Sequence, residues 1–288
     1  MGAQIEEEVA WELVLALPRA IGEGRSPVRV AVPVRAGVEG ESEIWLQVHA
    51  SGRWETSGAV TNPARDLLEM FLPLLLPDEL VVGQLGQSLD GRIATESGDS
   101  HFVTGPADIR RLHRLRALVD AVIVGAETIA RDDPRLTVRA VAGENPVRVV
   151  LDPDARLDPT RHVFADGAAR TLVVRRAGGH AHGSVEGEVV SVPAAGPEGF
   201  DPHDVLRALR NQGLARVLVE GGGITVSRFL EAGLLDRLHV TVAPLLIGSG
   251  RPALTLAPIE ALSEARRPRC RHFRLGEDIL FDLDLRSG

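Results

Sequence analysis

The chain has a single cysteine, Cys270. That excludes an intramolecular disulfide and any zinc site built on several thiolates, and it fits a reducing compartment. Basic residues are missing where a secretory signal would need them. The stretch MGAQIEEEVAWELVLALPRA carries Glu6, Glu7 and Glu8 instead, so the N-terminus reads as mature protein. Long apolar runs are missing too: the longest, Leu67 to Pro77, is interrupted by Pro73. It is well short of the roughly 20 residues of a membrane-spanning helix, so a soluble, cytoplasmic protein is expected. A formal net charge of -8 argues against a general polyanion binder, because nucleic-acid affinity rests on many cations neutralising phosphates. A single anionic cofactor, which needs only a few local cations and a helix N-terminus, remains compatible with it. The patterns GxSxG and GxxxxGK[ST] are absent, as is the HxE with PCxxC of zinc deaminases.

What is present is 288 residues with 44% hydrophobic content, enough for one large α/β domain and a smaller appendage. Residues 4–21 read as an amphipathic helix, with Ile5, Val9, Leu13 and Leu17 at four-residue spacing. Strand-like runs follow at Val28 to Val34 and Glu43 to Ala50, and Asn62 opens a second apolar helix ending near Pro77. From about Glu79 strands alternate with helical patterns, so the boundary is placed at Asp78: an accessory segment 1–78, then an α/β domain 79–288. Strands are expected at 80–88, 121–125, 147–151, 170–175, 188–192, 216–220, 236–243 and 278–285, and helices at 106–119, 126–131, 202–212 and 224–232. Ala177 to Gly199 reads as an irregular connection, and its His180 and His182 as solvated rather than metal-bound.

Three segments carry chemistry. On the helix 106–119, Ile109, Leu112, Leu115 and Val119 form an apolar stripe with Arg110, Arg111 and Arg114 away from it, while Arg116 projects into the stripe's arc. A guanidinium on a buried face needs either an acidic partner or a bound anion. At the end of AETIARDDPRLTVR, Asp132 and Asp133 either accept hydrogen bonds from a ligand, or one caps backbone N–H groups while the other is solvated. In RVLVEGGGITVSRFL a strand ends at Glu220, three glycines follow and a helix begins near Ile224. That turn lets a phosphate approach backbone N–H groups at the positive end of a helix; a plain tight turn is the alternative.

The segments SLDGRIAT (88–95), GDSHFVTGP (98–106), LRALVDAVIVGAETIARDDPRLTVR (115–139) and VEGGGITVSRFLEAGLLDRLHVTVAPLLIGSG (219–250) together resemble the reductase domain of the bifunctional deaminase-reductase of riboflavin biosynthesis. The resemblance implies a dihydrofolate-reductase-like fold, a mixed and mostly parallel sheet flanked by helices. It also implies a homodimer and reduction of a phosphoribosylamino-pyrimidine to its ribitylamino product by NADPH. By position, cofactor contacts would fall on Gly86, Phe102, Thr128, Asp132, Gly222, Gly223, Ile224, Thr225, Val226, Ser227 and Arg228. Substrate contacts would fall on Ser100, Arg116, Leu136, Arg139 and Glu220, with Arg116 and Arg139 on the phosphate. Arg175 and Arg176 are expected near a 2′-phosphate, and Gly223→Val is expected to disturb cofactor binding while sparing the fold. The chain departs from the family at Gln84, where a lysine is usual, at Phe102 for tryptophan and at Pro153 for serine. Residues 1–78 do not resemble the deaminase half. A reductase of a pterin or another heterocycle, or a catalytically silent nucleotide binder, are the alternatives.

Overall fold

The computed structural model describes residues 4–17, 26–34, 42–100, 103–178, 187–193, 195 and 199–286. Phe102, His180 and His182 lie outside them. The chain divides into two compact units, Met1–Leu80 and Val81–Gly288.

The first unit contains β1 (Gln4–Ile5), α1 (Glu7–Ala16), β2 (Val28–Val34), β3 (Ser42–Val48), β4 (Trp54–Thr56), β5 (Ala59–Val60) and α2 (Asn62–Leu75). Strands β2, β3 and β4 form an antiparallel sheet, and Trp11 of α1 meets Phe71 of α2 edge-on at 5.8 Å. The expected helix from residue 4 starts later, because Gln4–Ile5 pair in parallel with Ala59–Val60. The Ile5 carbonyl accepts from the Thr61 N–H and hydroxyl, so strand pairing overrides the helical spacing of Ile5.

The second unit runs β6 (Leu80–Ser88), β7 (Arg92–Thr95), α3 (Pro106–Ala117), β8 (Ala121–Gly125), α4 (Ala126–Asp132), β9 (Val147–Leu151), α5 (His162–Ala165), β10 (Thr171–Arg176) and β11 (Glu188–Val192). It continues with α6 (Pro202–Arg210), β12 (Arg216–Val219), α7 (Gly223–Glu231), β13 (Arg237–Ala243), β14 (Gly250–Pro252), β15 (Arg269–Leu275) and β16 (Asp278–Asp284). The nine-stranded sheet has the order β11-β10-β9-β8-β12-β6-β13-β16-β15. Its β8, β9, β10, β11 and β12 pairings and the β6–β13 pairing are parallel, while β16 is antiparallel to both β13 and β15. Inner strands carry buried apolar runs, such as Val122, Ile123 and Val124 or Val217, Leu218 and Val219, as expected of a parallel sheet covered on both faces, with buried polar residues such as Gln84, Arg148 and His239 among them.

Helix α3 departs from its expected orientation. Ile109 is exposed, whereas Asp108, Arg111, His113 and Arg114 are buried; Arg116 is buried, in keeping with its place in the apolar arc. Apolar periodicity failed here because the sheet offers this helix polar partners. Arg111 donates to Gln84 of β6 and lies 3.2 Å from the Nδ1 of His239 of β13, and Arg116 reaches Glu220. β15, sequence RCRHFRL, was not foreseen either, since an edge strand needs no apolar alternation to pair with β16.

Candidate active site

In the sheet order the chain leaves β8 toward β9, β10 and β11 on one side, whereas β12, β6 and β13 lie on the other. Such a switch point opens a crevice beyond the carboxyl ends of the strands. Gly125 at the end of β8, Leu151 at the end of β9 and Glu220 just past β12 all border a cleft of about 860 Å³ there.

The turn after β12 is built for close approach. Gly221 has φ +98°, which only glycine takes without strain. The Gly222 N–H donates to Thr128 Oγ1 at 3.0 Å, tying the turn to α4. A Cβ added to Gly223 would sit 2.2 Å from the Ala253 carbonyl oxygen, so the polypeptide itself passes against this glycine. Helix α7 begins here with no side-chain cap, its dipole directed at the cleft. Arg131, Arg156, Arg228 and Arg251 border the same cleft, and Glu127 pairs with both Arg131 and Arg156. A helix N-terminus among four guanidinium groups is a site for a polyanion.

Of the residues expected to contact cofactor, Gly86, Thr128, Asp132, Gly222, Gly223, Ile224, Thr225 and Arg228 line the cleft. Val226 does not; it is buried in the core beside Gly83. Ser227 is also turned inward, its Oγ accepting from the Thr255 N–H at 2.9 Å. Period 3.6 forces this, because a helix cannot aim five successive side chains at one ligand. Arg175 and Arg176 belong to β10 rather than following it, do not border the cleft, and Arg176 lies 3.3 Å from Asp154. Asp133 closes α4 in a left-handed conformation and accepts from the His162 N–H at 2.8 Å, a capping role that leaves Asp132 at the cleft.

Among the expected substrate contacts, Ser100 and Glu220 border the cleft, while Arg116, Leu136 and Arg139 do not. Arg116 Nε and Nη2 hold the two carboxylate oxygens of Glu220 at 2.8 and 2.7 Å, and Nη1 reaches the Thr137 carbonyl at 3.2 Å. The acidic-partner alternative is therefore the one seen. Burial works against the charge of Arg116, but Glu220 outweighs it and raises the pKa. Leu136 is buried with φ +53°. The Arg139 N–H donates to His113 Nδ1 at 3.0 Å, and the Arg139 pKa is lowered by burial, then by Arg116 and Arg135.

Sequence reasoning missed Arg131, Arg156 and Arg251 as cleft cations. Their signal was faint: Arg131 adjoins Asp132, and Arg251 follows the glycine turn IGSG.

Fold and cleft together define an α/β protein with an arginine-bordered crevice at its switch point. The chain belongs to the RibD C-terminal domain family, whose model matches residues 79–281. It is 36% identical over 214 residues to the 2,5-diamino-6-ribosylamino-4(3H)-pyrimidinone 5′-phosphate reductase of Methanothermobacter thermautotrophicus, covering 72% of this chain and 98% of that protein. The riboflavin biosynthesis protein RibD of Aquifex aeolicus is 31% identical over 227 residues, covering 77% of this chain and 63% of that protein. The crystal structure of a deaminase/5-amino-6-(5-phosphoribosylamino)uracil reductase from Thermotoga maritima superposes with a TM-score of 0.63 at 25% identity, over 78% of this chain and 64% of that one. The chain thus spans just under two thirds of these longer relatives.

Proposed function

We propose that this chain is an NADPH-dependent reductase that converts a phosphoribosylamino-pyrimidine to its ribitylamino product. The observation that carries the reading is the cleft: a capless helix N-terminus and four arginines at the switch point, in a chain that matches almost the whole of an archaeal pyrimidinone-phosphate reductase. Residues 79–288 are read as the reductase, 1–78 as an accessory segment, and a cytoplasmic homodimer as the working form.

The residues present fit a dinucleotide. Gly222 and Thr225, with Arg131, Arg228 and Arg251, would hold its phosphates. Thr128 Oγ1 already accepts from Gly222 N–H, which leaves its own proton to donate to a phosphate oxygen. NADPH, when bound, supplies the hydride, and the protein supplies orientation and electrostatics. Reduction of the open-chain imine adds that hydride to ribose C1 and a proton to the imine nitrogen. Gln84 and Ser100 also border the cleft and are read as groups that meet the substrate.

The test is NADPH oxidation by the purified chain with the 2,5-diamino-pyrimidinone and the deaminated uracil forms of the phosphoribosylamino substrate. Turnover of either supports the reading and says which form is taken. Turnover of neither, with NADPH binding intact, points to another heterocycle; no NADPH binding removes the reading.

A further inference from the structure

Gln84 stands at the cleft, and its surroundings fix which way its amide faces. The register sets Gln84 beside His239, His239 beside Asp282, and Asp282 beside Arg271, so these four side chains form one row across β6, β13, β16 and β15. Arg111 of α3 lies over the row. Its Nη2 donates to Gln84 Oε1 at 2.5 Å, its Nη1 lies 3.2 Å from His239 Nδ1, and its Nε donates to Asp108 at 2.7 Å. His239 Nε2 is 3.3 Å from Asp282, which also accepts from Arg237 and Arg271 at 2.6 and 2.7 Å. Gln84, Arg111, Asp108, His239 and Asp282 are all buried.

The direction of every bond follows from one fact: a guanidinium only donates. Gln84 must therefore turn its oxygen toward Arg111, and His239 must offer Nδ1 as a lone pair and carry its proton on Nε2, toward the Asp282 carboxylate. The Gln84 carboxamide nitrogen is what remains for the cleft. The chain has no lysine, all 32 of its cationic side chains being arginine. The charge of Arg111 is held one side chain behind Gln84.

We propose that Arg111 is a positioning and specificity-determining residue: by holding Gln84 Oε1 it makes this part of the cleft a hydrogen-bond donor only. A substrate group that accepts, such as a ring carbonyl or a ribose oxygen, is taken there, and an amine or cation is refused. This rests on the reductase reading for its substrate.

The test uses the full chain with three variants. Gln84→Glu keeps an oxygen for Arg111 but removes both N–H donors. It should lower kcat/KM for the pyrimidine by about 100-fold, as when a buried acceptor is left without its donor, with Tm and NADPH affinity held. Arg111→Lys cannot span three acceptors and should lower kcat/KM in the wild-type background but not in Gln84→Met, because its effect passes through Gln84. Equal losses in both backgrounds, or wild-type kcat/KM in Gln84→Glu at unchanged Tm, would overturn the proposal. Should the wild-type chain reduce neither pyrimidine, the reductase reading falls, and the Gln84 side-chain amide resonances decide this one separately. A marked shift in Arg111→Lys supports it, and unchanged resonances overturn it.

Discussion

Arg116 and Glu220 are joined by two parallel hydrogen bonds of 2.8 and 2.7 Å, both side chains being buried, at the carboxyl end of β12. The pairing neutralises the only carboxylate of the turn that precedes α7, so this wall of the cleft does not oppose an incoming phosphate. It also occupies the fork that the family resemblance assigns to the substrate.

Arg116→Lys should therefore act first on stability. A lysine keeps the charge but cannot make both bonds to Glu220, and breaking a buried pair outright costs about 3–5 kcal/mol. A clear fall in Tm is expected for Arg116→Lys and a larger one for Arg116→Ala, with substrate KM changing by less than about tenfold, or 1.4 kcal/mol. A tenfold rise in KM at unchanged Tm would return Arg116 to the phosphate.

Arg139, which does not border the cleft, is the other cation that the family resemblance assigns to that phosphate. Its charge is disfavoured by burial and by the neighbouring Arg116 and Arg135, a local excess of cations that a bound dianion would relieve. Its backbone N–H is held by His113. Arg139→Ala should raise KM for the phosphorylated substrate by roughly tenfold or more while leaving KM for the dephosphorylated analogue alone. Parallel changes in both would remove phosphate from its role.

The strands of the parallel sheet were legible in the sequence where they carry a short apolar run that a doubly covered sheet accommodates, as at AVIVG and the VLV of RVLV. The strand-glycine-helix turn was legible for the same local reason. Helix α3 was not: Arg111 and Arg114 look solvent-facing on a wheel, and nothing local reveals that Gln84 and His239 wait across the interface. Long-range polar pairing erases the apolar pattern on which a wheel depends. The cleft arginines were hidden likewise, since Arg131, Arg156 and Arg251 converge only once the sheet is ordered.

Gly223 and Gly222 separate fold from ligand. Any side chain at Gly223 must displace the Ala253 backbone 2.2 Å away, so Gly223→Val is a folding defect rather than the cofactor probe expected from the sequence. Gly223→Ala should already cost about 1–3 kcal/mol by overpacking. At Gly222 an added Cβ meets only Thr128 Oγ1, at 3.3 Å, and it intrudes on the N-terminus of α7. Gly222→Ala should hold most of its Tm and lose NADPH affinity by calorimetry. Unchanged affinity would remove the phosphates from this turn.

His113 should give the fold an acid-sensitive window. It is buried, its Nδ1 accepts the Arg139 N–H, and its pKa is pushed down to about 4 by burial, then by Arg116 and Arg139. Protonation would destroy the acceptor that holds the 136–139 segment and place a third cation beside two arginines. Because the folded pKa lies below the ordinary value of 6.5, the unfolded chain takes up a proton first as pH falls. The contribution of neutral His113 to stability is thus full above about pH 6.5, declines as pH drops toward 4, and is level below that. The whole fall amounts to roughly 3 kcal/mol at most. His113→Asn keeps an acceptor for Arg139 and does not titrate, so its denaturation midpoint should change less between about pH 7.5 and about pH 4.5 than that of the wild type. Identical pH slopes in the two proteins would show that His113 is not the group responsible.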